Sequence, residues 1–164
     1  MKSPSVGLMN VKSFVIATQV MDDTISFLRQ VGSNGLEGFV IWGGQLISET
    51  HLEFQRTYIP KQKGLVTESG LLVLVDGDAL FEVNREAHEL HHILAAQVHT
   101  HPTEAYHSDT DDHYPLVTLK GALSIVIPDF AKHAPNDFQR WAWYRLKDYG
   151  IWTPLAEDQT VNLK

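Results

Sequence analysis

The sequence predicts an α/β protein in the α+β arrangement. Its apolar residues follow strand periodicity in several consecutive runs, and only two helical segments lie between them, instead of a regular alternation of strand and helix. The length of 164 residues predicts one domain with a sizeable core. We expect a loose N-terminal leader at residues 1–10 and a single domain over residues 11–164.

The first half of the chain is predicted to consist of strands around one short helix. Val11, Phe14 and Ile16 are the expected core residues of the first strand, and acidic residues are expected in the first turn of the helix. In chain order, the predicted elements are a strand at 11–18, an amphipathic helix at 21–31, a turn at 32–35, a buried strand ending in a glycine hairpin turn at 36–44, one or two strands at 45–60 and a mobile loop at 61–70.

The second half is predicted to contain one longer helix among further strands. Asp78 is placed to cap a helix that runs from Ala79 to about Ala95. The apolar residues at three- and four-residue steps, its expected buried stripe, are Leu80, Val83, Ala87, Leu90 and Leu94. The other predicted elements are a short β-prone run at 71–75, strands at 95–101 and 121–130, and an outer strand or hairpin at 140–152.

Composition excludes several classes of function. The net charge of −7 argues against nucleic acid and anionic membranes as main partners, because both require a basic surface. The chain has no cysteine, so disulfides, thiolate metal sites and cysteine nucleophiles are excluded, and a metal would need His and carboxylate ligands. The N-terminus does not resemble a signal peptide and no apolar stretch is long enough to span a membrane, so we expect a cytoplasmic protein.

The stretch HELHH at 88–92 matches the H-E-x-x-H pattern of zinc peptidases, in which two ligands share one helical face. Helical geometry places His88 and His92 well away from the predicted buried stripe, so both are expected to point towards solvent. We therefore favour a solvated helical face over a metal site for this segment.

The stretch VHTHPTEAYHSDTDD at 98–112 is a better candidate for a metal site. In a strand, His99 and His101 point to the same face because side chains alternate with a period of two. Asp111 can return across a loop as a third ligand, and Ser108 can cap a short helix that carries it. Two His and one carboxylate suit a catalytic zinc that keeps a fourth position open, although a solvated acidic loop is the alternative.

These residues resemble the motif of the JAMM metalloproteases, also called the MPN+ or JAB1/MPN/Mov34 family. The resemblance rests on His99-Thr100-His101-Pro102, on Ser108-x-x-Asp111 and on an upstream glutamate, Glu37, which opens the run EGFVIWGG. The order of elements also agrees, so the resemblance covers about residues 11–155. It implies a cytidine-deaminase-like MPN domain, in which a mixed, curved β-sheet is flanked by helices.

One departure from the family pattern affects the third ligand. The family usually has seven residues between the second His and the Ser, whereas this chain has the six residues 102–107. Keeping the Ser makes Asp111 the ligand, and a strict count of seven would make it Asp112. We prefer Asp111, because loops tolerate deletions.

The resemblance implies a zinc isopeptidase. His99, His101 and Asp111 would bind Zn²⁺, Glu37 would act as general base, and Ser108 would donate a hydrogen bond to the oxyanion. The expected substrate is a ubiquitin-like protein or its conjugate, cleaved after the C-terminus of the ubiquitin-like protein.

Small bacterial members suggest an antiphage pathway, with conjugation enzymes of the same operon as further partners. A substrate tail is expected to add as a strand beside a sheet edge, with residues 61–70 and the segment near Trp42 as candidate contacts. The alternatives are a catalytically silent scaffold, and a metallopeptidase that trims a sulfur-carrier or other protein.

Overall fold

The structure, a computed structural model, describes residues 7–108, 115–133 and 138–164. Its main sheet has eight strands in the order β10-β1-β3-β2-β6-β7-β8-β9, and β4 and β5 form a separate two-stranded sheet. The strands are Ser13–Ile16 (β1), Phe39–Ser48 (β2), His51–Tyr58 (β3), Lys63–Thr67 (β4), Gly70–Leu74 (β5), Ile93–Thr100 (β6), Leu123–Ile127 (β7), Ala142–Leu146 (β8), Trp152–Pro154 (β9) and Thr160–Leu163 (β10). The described residues also form two α-helices, Thr18–Gly32 (α1) and Gly77–Glu89 (α2), and three short 3-10 helices.

The predicted α+β fold class is confirmed: a mixed, curved sheet is flanked by helices. Parallel pairs join β1 to β10, β1 to β3 and β6 to β7, and the other neighbours are antiparallel. Successive side chains along β2 point alternately into two apolar clusters, one on each face of the sheet. Val40 and Trp42 belong to the cluster that contains the buried face of α1, and Phe39 and Ile41 belong to the cluster that contains α2. Because His99 pairs with Phe39 across the ladder, it lies on the α2 side of the sheet.

Strand β2 is longer than predicted. Gly43 and Gly44 do not form a hairpin turn but lie within β2, where the pairing with both β3 and β6 shifts register. The hairpin turn lies after Ser48 instead. A glycine within a strand marks such bulges, because the backbone of the neighbouring strand approaches too closely for a side chain.

Helix α1 begins three residues before the predicted start. The chain turns directly from β1 through Ala17 into Thr18, so that Val20 and Met21 reach the core. The expected acidic first turn is therefore absent from this helix, and Asp22 and Asp23 lie further along it.

The predicted mobile loop at 61–70 is wrong. Residues 63–67 form β4, which pairs antiparallel with β5. Lys63 lies opposite Leu74 at one end of this ladder, and Thr67 lies opposite Gly70 at the other. The β-prone run at 71–75 is confirmed as most of β5.

The predicted hairpin near the end of the chain is confirmed, since β8 and β9 pair antiparallel at one edge of the sheet. Strand β10 was absent from the prediction and forms the opposite edge beside β1. Within the predicted leader, Leu8 is only 3% exposed, and its backbone N–H donates to Lys120. The division into leader and domain stays a prediction. In the described ranges, neither helix has the length and apolar character needed to cross a bilayer.

Candidate metal centre

His99 and His101 form a buried pair on the α2 side of the sheet. Each is 5% exposed, and their Nε2 atoms are 3.2 Å apart. His99 lies in the doubly buried strand β6, and His101 follows its last residue directly. The two side chains point to the same side of the sheet, as expected, and their rings meet at a centroid distance of 5.0 Å, although His101 lies just beyond the end of the strand.

The distance between these nitrogens fits a shared metal ion. Two imidazole nitrogens at about 2.0–2.1 Å from a tetrahedral zinc lie roughly 3.3 Å apart. The observed 3.2 Å between the two Nε2 atoms is close to that value. Two buried imidazoles at this spacing can therefore accept a divalent ion without moving far.

Glu37 is held beside the histidine pair although it lies far upstream in the sequence. It precedes β2 by two residues, and the next residue, Gly38, exchanges two hydrogen bonds with Thr100. The Gly38 N–H donates to Thr100 Oγ1 at 3.0 Å, and the Thr100 N–H donates to the Gly38 carbonyl at 3.1 Å. Because Thr100 lies between the two histidines, this pairing brings Glu37 to the same end of β6.

One cavity of about 520 Å³ contains four of the predicted site residues. Glu37, His99, His101 and Ser108 all contribute to its walls. Strand β5 forms an apolar wall of the same cavity through Leu72 and its neighbours. The fold thus brings the candidate base, the two candidate ligands and the candidate oxyanion donor to one partly apolar space.

The predicted third ligand, Asp111, and its alternative, Asp112, lie outside the described residues. In the ranges that the structure does describe, no three His, Asp or Glu side chains converge as a metal site. The assignment of the carboxylate ligand therefore stays a prediction.

The backbone of His101 is fixed by a left-handed turn. Asp129, Phe130 and Ala131 have φ angles of 54°, 53° and 59°, which cost about 1–2 kcal/mol for each residue that is not glycine. The Phe130 N–H donates to the His101 carbonyl at 3.0 Å, and the His101 N–H donates to the carbonyl of Ile127 at 3.0 Å. A strained backbone of this kind persists where surrounding contacts enforce it. Here the hydrogen bonds to the N–H and to the carbonyl of His101 hold the backbone of this candidate ligand.

Contacts from α1 hold this left-handed turn in place. Arg29 donates from Nε to the carbonyl of Ala131 at 2.7 Å and from Nη2 to the carbonyl of His133 at 2.7 Å. Asp129 accepts from Arg140 at 2.7 Å. The helix on one face of the sheet therefore supports the histidine pair on the other.

Two aromatic side chains around the histidines were not identified from the sequence. The Tyr106 ring meets the His101 ring edge-on at a centroid distance of 4.6 Å, and Phe39 stacks on His99 at 6.5 Å. Phe39 could have been found as the cross-strand neighbour of the pair, whereas Tyr106 lies in a loop without periodicity. Trp42, an expected substrate contact, is instead fully buried and donates to Thr24 at 2.8 Å.

The HELHH segment does not have the geometry of a helical zinc site. Helix α2 is capped by Asp76 instead of Asp78 and ends at Glu89, because His91 adopts a φ of 55°. His88 is exposed on the helix as predicted, but His92 lies beyond the helix, is half-buried and bonds Tyr58 Oη through Nδ1 at 2.8 Å. The two histidines therefore do not share one helical face.

His92 should make the stability of the protein depend on pH. Burial and the nearby Arg56 lower the pKa of His92 below its ordinary value. As the pH falls through about 6.5, the unfolded chain therefore takes up a proton at His92 more readily than the folded protein does, and stability falls. We expect the free energy of unfolding of the wild type, relative to His92→Asn, to decrease from about pH 7.5 to 5.5 in urea titrations. Parallel pH curves for the two proteins would contradict this assignment.

Comparison with known proteins finds a relative over most of the chain. No family model matches. A protein from Sinorhizobium fredii that is named probable metalloprotease is 36% identical over 149 residues, which is 91% of this chain and 91% of that protein.

Proposed function

This chain belongs to the same family as the probable metalloprotease of Sinorhizobium fredii, and we propose that it is a zinc-dependent peptidase of the JAMM type. The observation that carries the proposal is the buried pair His99 and His101, whose Nε2 atoms are 3.2 Å apart in a cavity that also contains Glu37. The relationship to a metalloprotease supports the peptidase class, and the motif residues support the JAMM type.

In this proposal the chain supplies the ligands and two further groups. His99, His101 and Asp111 would hold the ion, with Asp112 as the alternative third ligand. Zinc bound there would polarise a carbonyl group and increase the acidity of a water molecule. Glu37 takes a proton from the attacking water and passes it to the leaving amine, and Ser108 donates a hydrogen bond to the developing oxyanion.

We propose a ubiquitin-like protein or its conjugate as substrate, cleaved after its C-terminus, within a cytoplasmic antiphage conjugation pathway. The cavity is compatible with an extended tail, because β5 lies along it. In the described part of the chain, β5 pairs with β4 along one edge, and its other edge is open to pairing with a further strand. A tail that pairs with such a strand gains main-chain hydrogen bonds without demanding much of its sequence.

Mass spectrometry on candidate fusions tests the proposal. The purified protein is incubated with ubiquitin-like fusions, with and without a zinc chelator. We expect a new C-terminus directly after the ubiquitin-like part, no cleavage in the chelator and recovery when zinc is added back. Binding of the fusion without cleavage in any of these conditions would favour the silent scaffold.

A His88 variant separates the two candidate zinc segments in the same assay. His88→Gln removes an exposed imidazole from HELHH and leaves the His99 pair intact. We expect wild-type cleavage and one bound zinc per chain. Loss of zinc in this variant would move the site to the helix.

A further inference from the structure

A buried carboxamide connects the strand of the histidine pair to the two segments that flank residues 109–114. Gln97 is only 3% exposed and alternates with His99 and His101 along β6, so that all three lie on one face and line the same cavity. A polar side chain in this position is costly unless its hydrogen bonds are made.

The oxygen of Gln97 holds the segment that follows residue 114. Its Oε1 accepts from the backbone N–H of Leu116 at 3.0 Å and from that of Val117 at 3.1 Å. Backbone N–H groups can only donate, so these two bonds also determine the orientation of the amide.

The nitrogen of Gln97 holds the segment that precedes residue 109. Its Nε2 donates to the Oγ of the fully buried Ser124 at 3.1 Å, and that Oγ lies 3.0 Å from Nε2 of His107. The hydroxyl accepts from Gln97, which leaves its own proton available for His107.

His107 is held at two further points on the outer strands. Its backbone N–H donates to Tyr144 Oη at 3.2 Å, and its ring packs against Tyr144 and Trp152 at centroid distances of 4.7 and 5.5 Å. Ser108 is the next residue along the chain, so its position depends on this anchoring.

We infer that Gln97, through Ser124 and His107, is a positioning residue that fixes Ser108 relative to His99 and His101. One carboxamide ties both flanking segments to the strand that carries the histidines, so the distance from Ser108 to the pair is determined by side-chain hydrogen bonds. The effect on catalysis rests on the proposed function, whereas the anchoring does not.

Three variants separate anchoring from general stability. Gln97→Met keeps the length of the side chain and removes both halves of the network. Ser124→Ala removes only the branch towards His107. Thr24→Val is the matched control, because it removes a fully buried hydrogen-bonding hydroxyl on α1, where Trp42 Nε1 donates to it at 2.8 Å.

Anchoring is measured without activity, by amide hydrogen exchange of the metal-free full chain. In Gln97→Met the amides of Leu116 and Val117 should exchange about tenfold faster than in the wild type. Ser124→Ala and Thr24→Val should leave these two amides unchanged. The His107 amide, which donates to Tyr144 Oη, should exchange faster in both Gln97→Met and Ser124→Ala. Equal protection of the His107 amide in these variants and the wild type would overturn the inference, even if the wild type cleaves no tested fusion.

Positioning is measured by cleavage kinetics on a fusion that the wild type cleaves. Gln97→Met should lower kcat by about 10- to 100-fold with little change in KM, because a displacement of about 1 Å can cost about 10²-fold. In a Ser108→Ala background the same substitution should lower kcat by less than about threefold, since it acts through Ser108.

Two kinetic results would overturn the positioning role. The first is that Gln97→Met and Ser124→Ala each have the same kcat as the control variant Thr24→Val. The other is an equal loss of kcat from Gln97→Met in the presence and absence of Ser108, which a merely structural role would produce. Absence of cleavage by the wild type would instead count against the proposed function.

Discussion

Glu37→Gln should reduce cleavage by about 10²–10⁴-fold while the metal content stays at the wild-type level. Glutamine has nearly the same shape as glutamate and can still hydrogen-bond a water molecule, but it cannot take up a proton. Because Gly38 and Thr100 pin the backbone next to Glu37, the substituted amide should remain in the cavity. The measurements are kcat/KM on a cleavable fusion and zinc per chain by mass spectrometry.

Glu104→Gln is the matched control for this experiment. It makes the same chemical change on an exposed residue three positions after His101, and it lies outside the set that lines the cavity. We expect wild-type cleavage. If Glu37→Gln cleaves at the wild-type rate, the general base lies elsewhere, and if it loses zinc, Glu37 acts on the metal instead of on a proton.

Gly44→Ala should destabilise the protein by about 3 kcal/mol or more, at the upper end of overpacking substitutions. A Cβ at this position would lie 1.8 Å from the carbonyl oxygen of Glu53 and 2.8 Å from Cα of Phe54. Both atoms belong to the backbone of β3, so no side-chain rotation can relieve the clash, and β2 and β3 must separate. For a chain of this size the loss corresponds to a decrease in Tm of roughly 10 °C, measurable by calorimetry.

Gly77→Ala provides the comparison. An added Cβ there meets no atom within 4 Å, and the position is the first residue of α2. We expect its stability to stay within about 0.5 kcal/mol of the wild type. Similar losses in the two variants would show that alanine at position 44 is accommodated by relaxation of the bulge.

Periodicity predicted the strands that are buried by their own pattern. Phe14 and Ile16 in β1, and the alternation around His99 in β6, lie as expected because every second residue has to face a core. The predicted end of α2 at about Ala95 was wrong because Leu90 and Leu94 continue a helical spacing. In the structure, His91 has a backbone conformation outside the right-handed helical region, and Leu94 already belongs to β6. Spacing alone does not distinguish a helix from a helix followed directly by a strand.

Tertiary contacts account for the elements that the sequence did not reveal. The polar segment at 63–67 becomes a strand because β5 pairs with it, and Gly44 stays within β2 because β3 approaches closely. The histidine pair followed from local alternation, whereas Glu37 required the resemblance to a family because its proximity depends on pairing between β2 and β6. Gln97 shares the alternation of the histidines, but its hydrogen bonds lead to segments that no sequence pattern connects.

The parallel pairing of β1 with β10 has a consequence for synthesis of the chain. Strand β1 is made well before β10, the partner that covers its outer edge. A growing chain on the ribosome can form the histidine strand and its neighbours while that edge is still unpaired, and an unpaired edge is a template for intermolecular pairing. Chaperone demand during translation should therefore depend on how quickly β10 emerges, and slow translation of the codons for β10 should promote aggregation while the edge of β1 is unpaired.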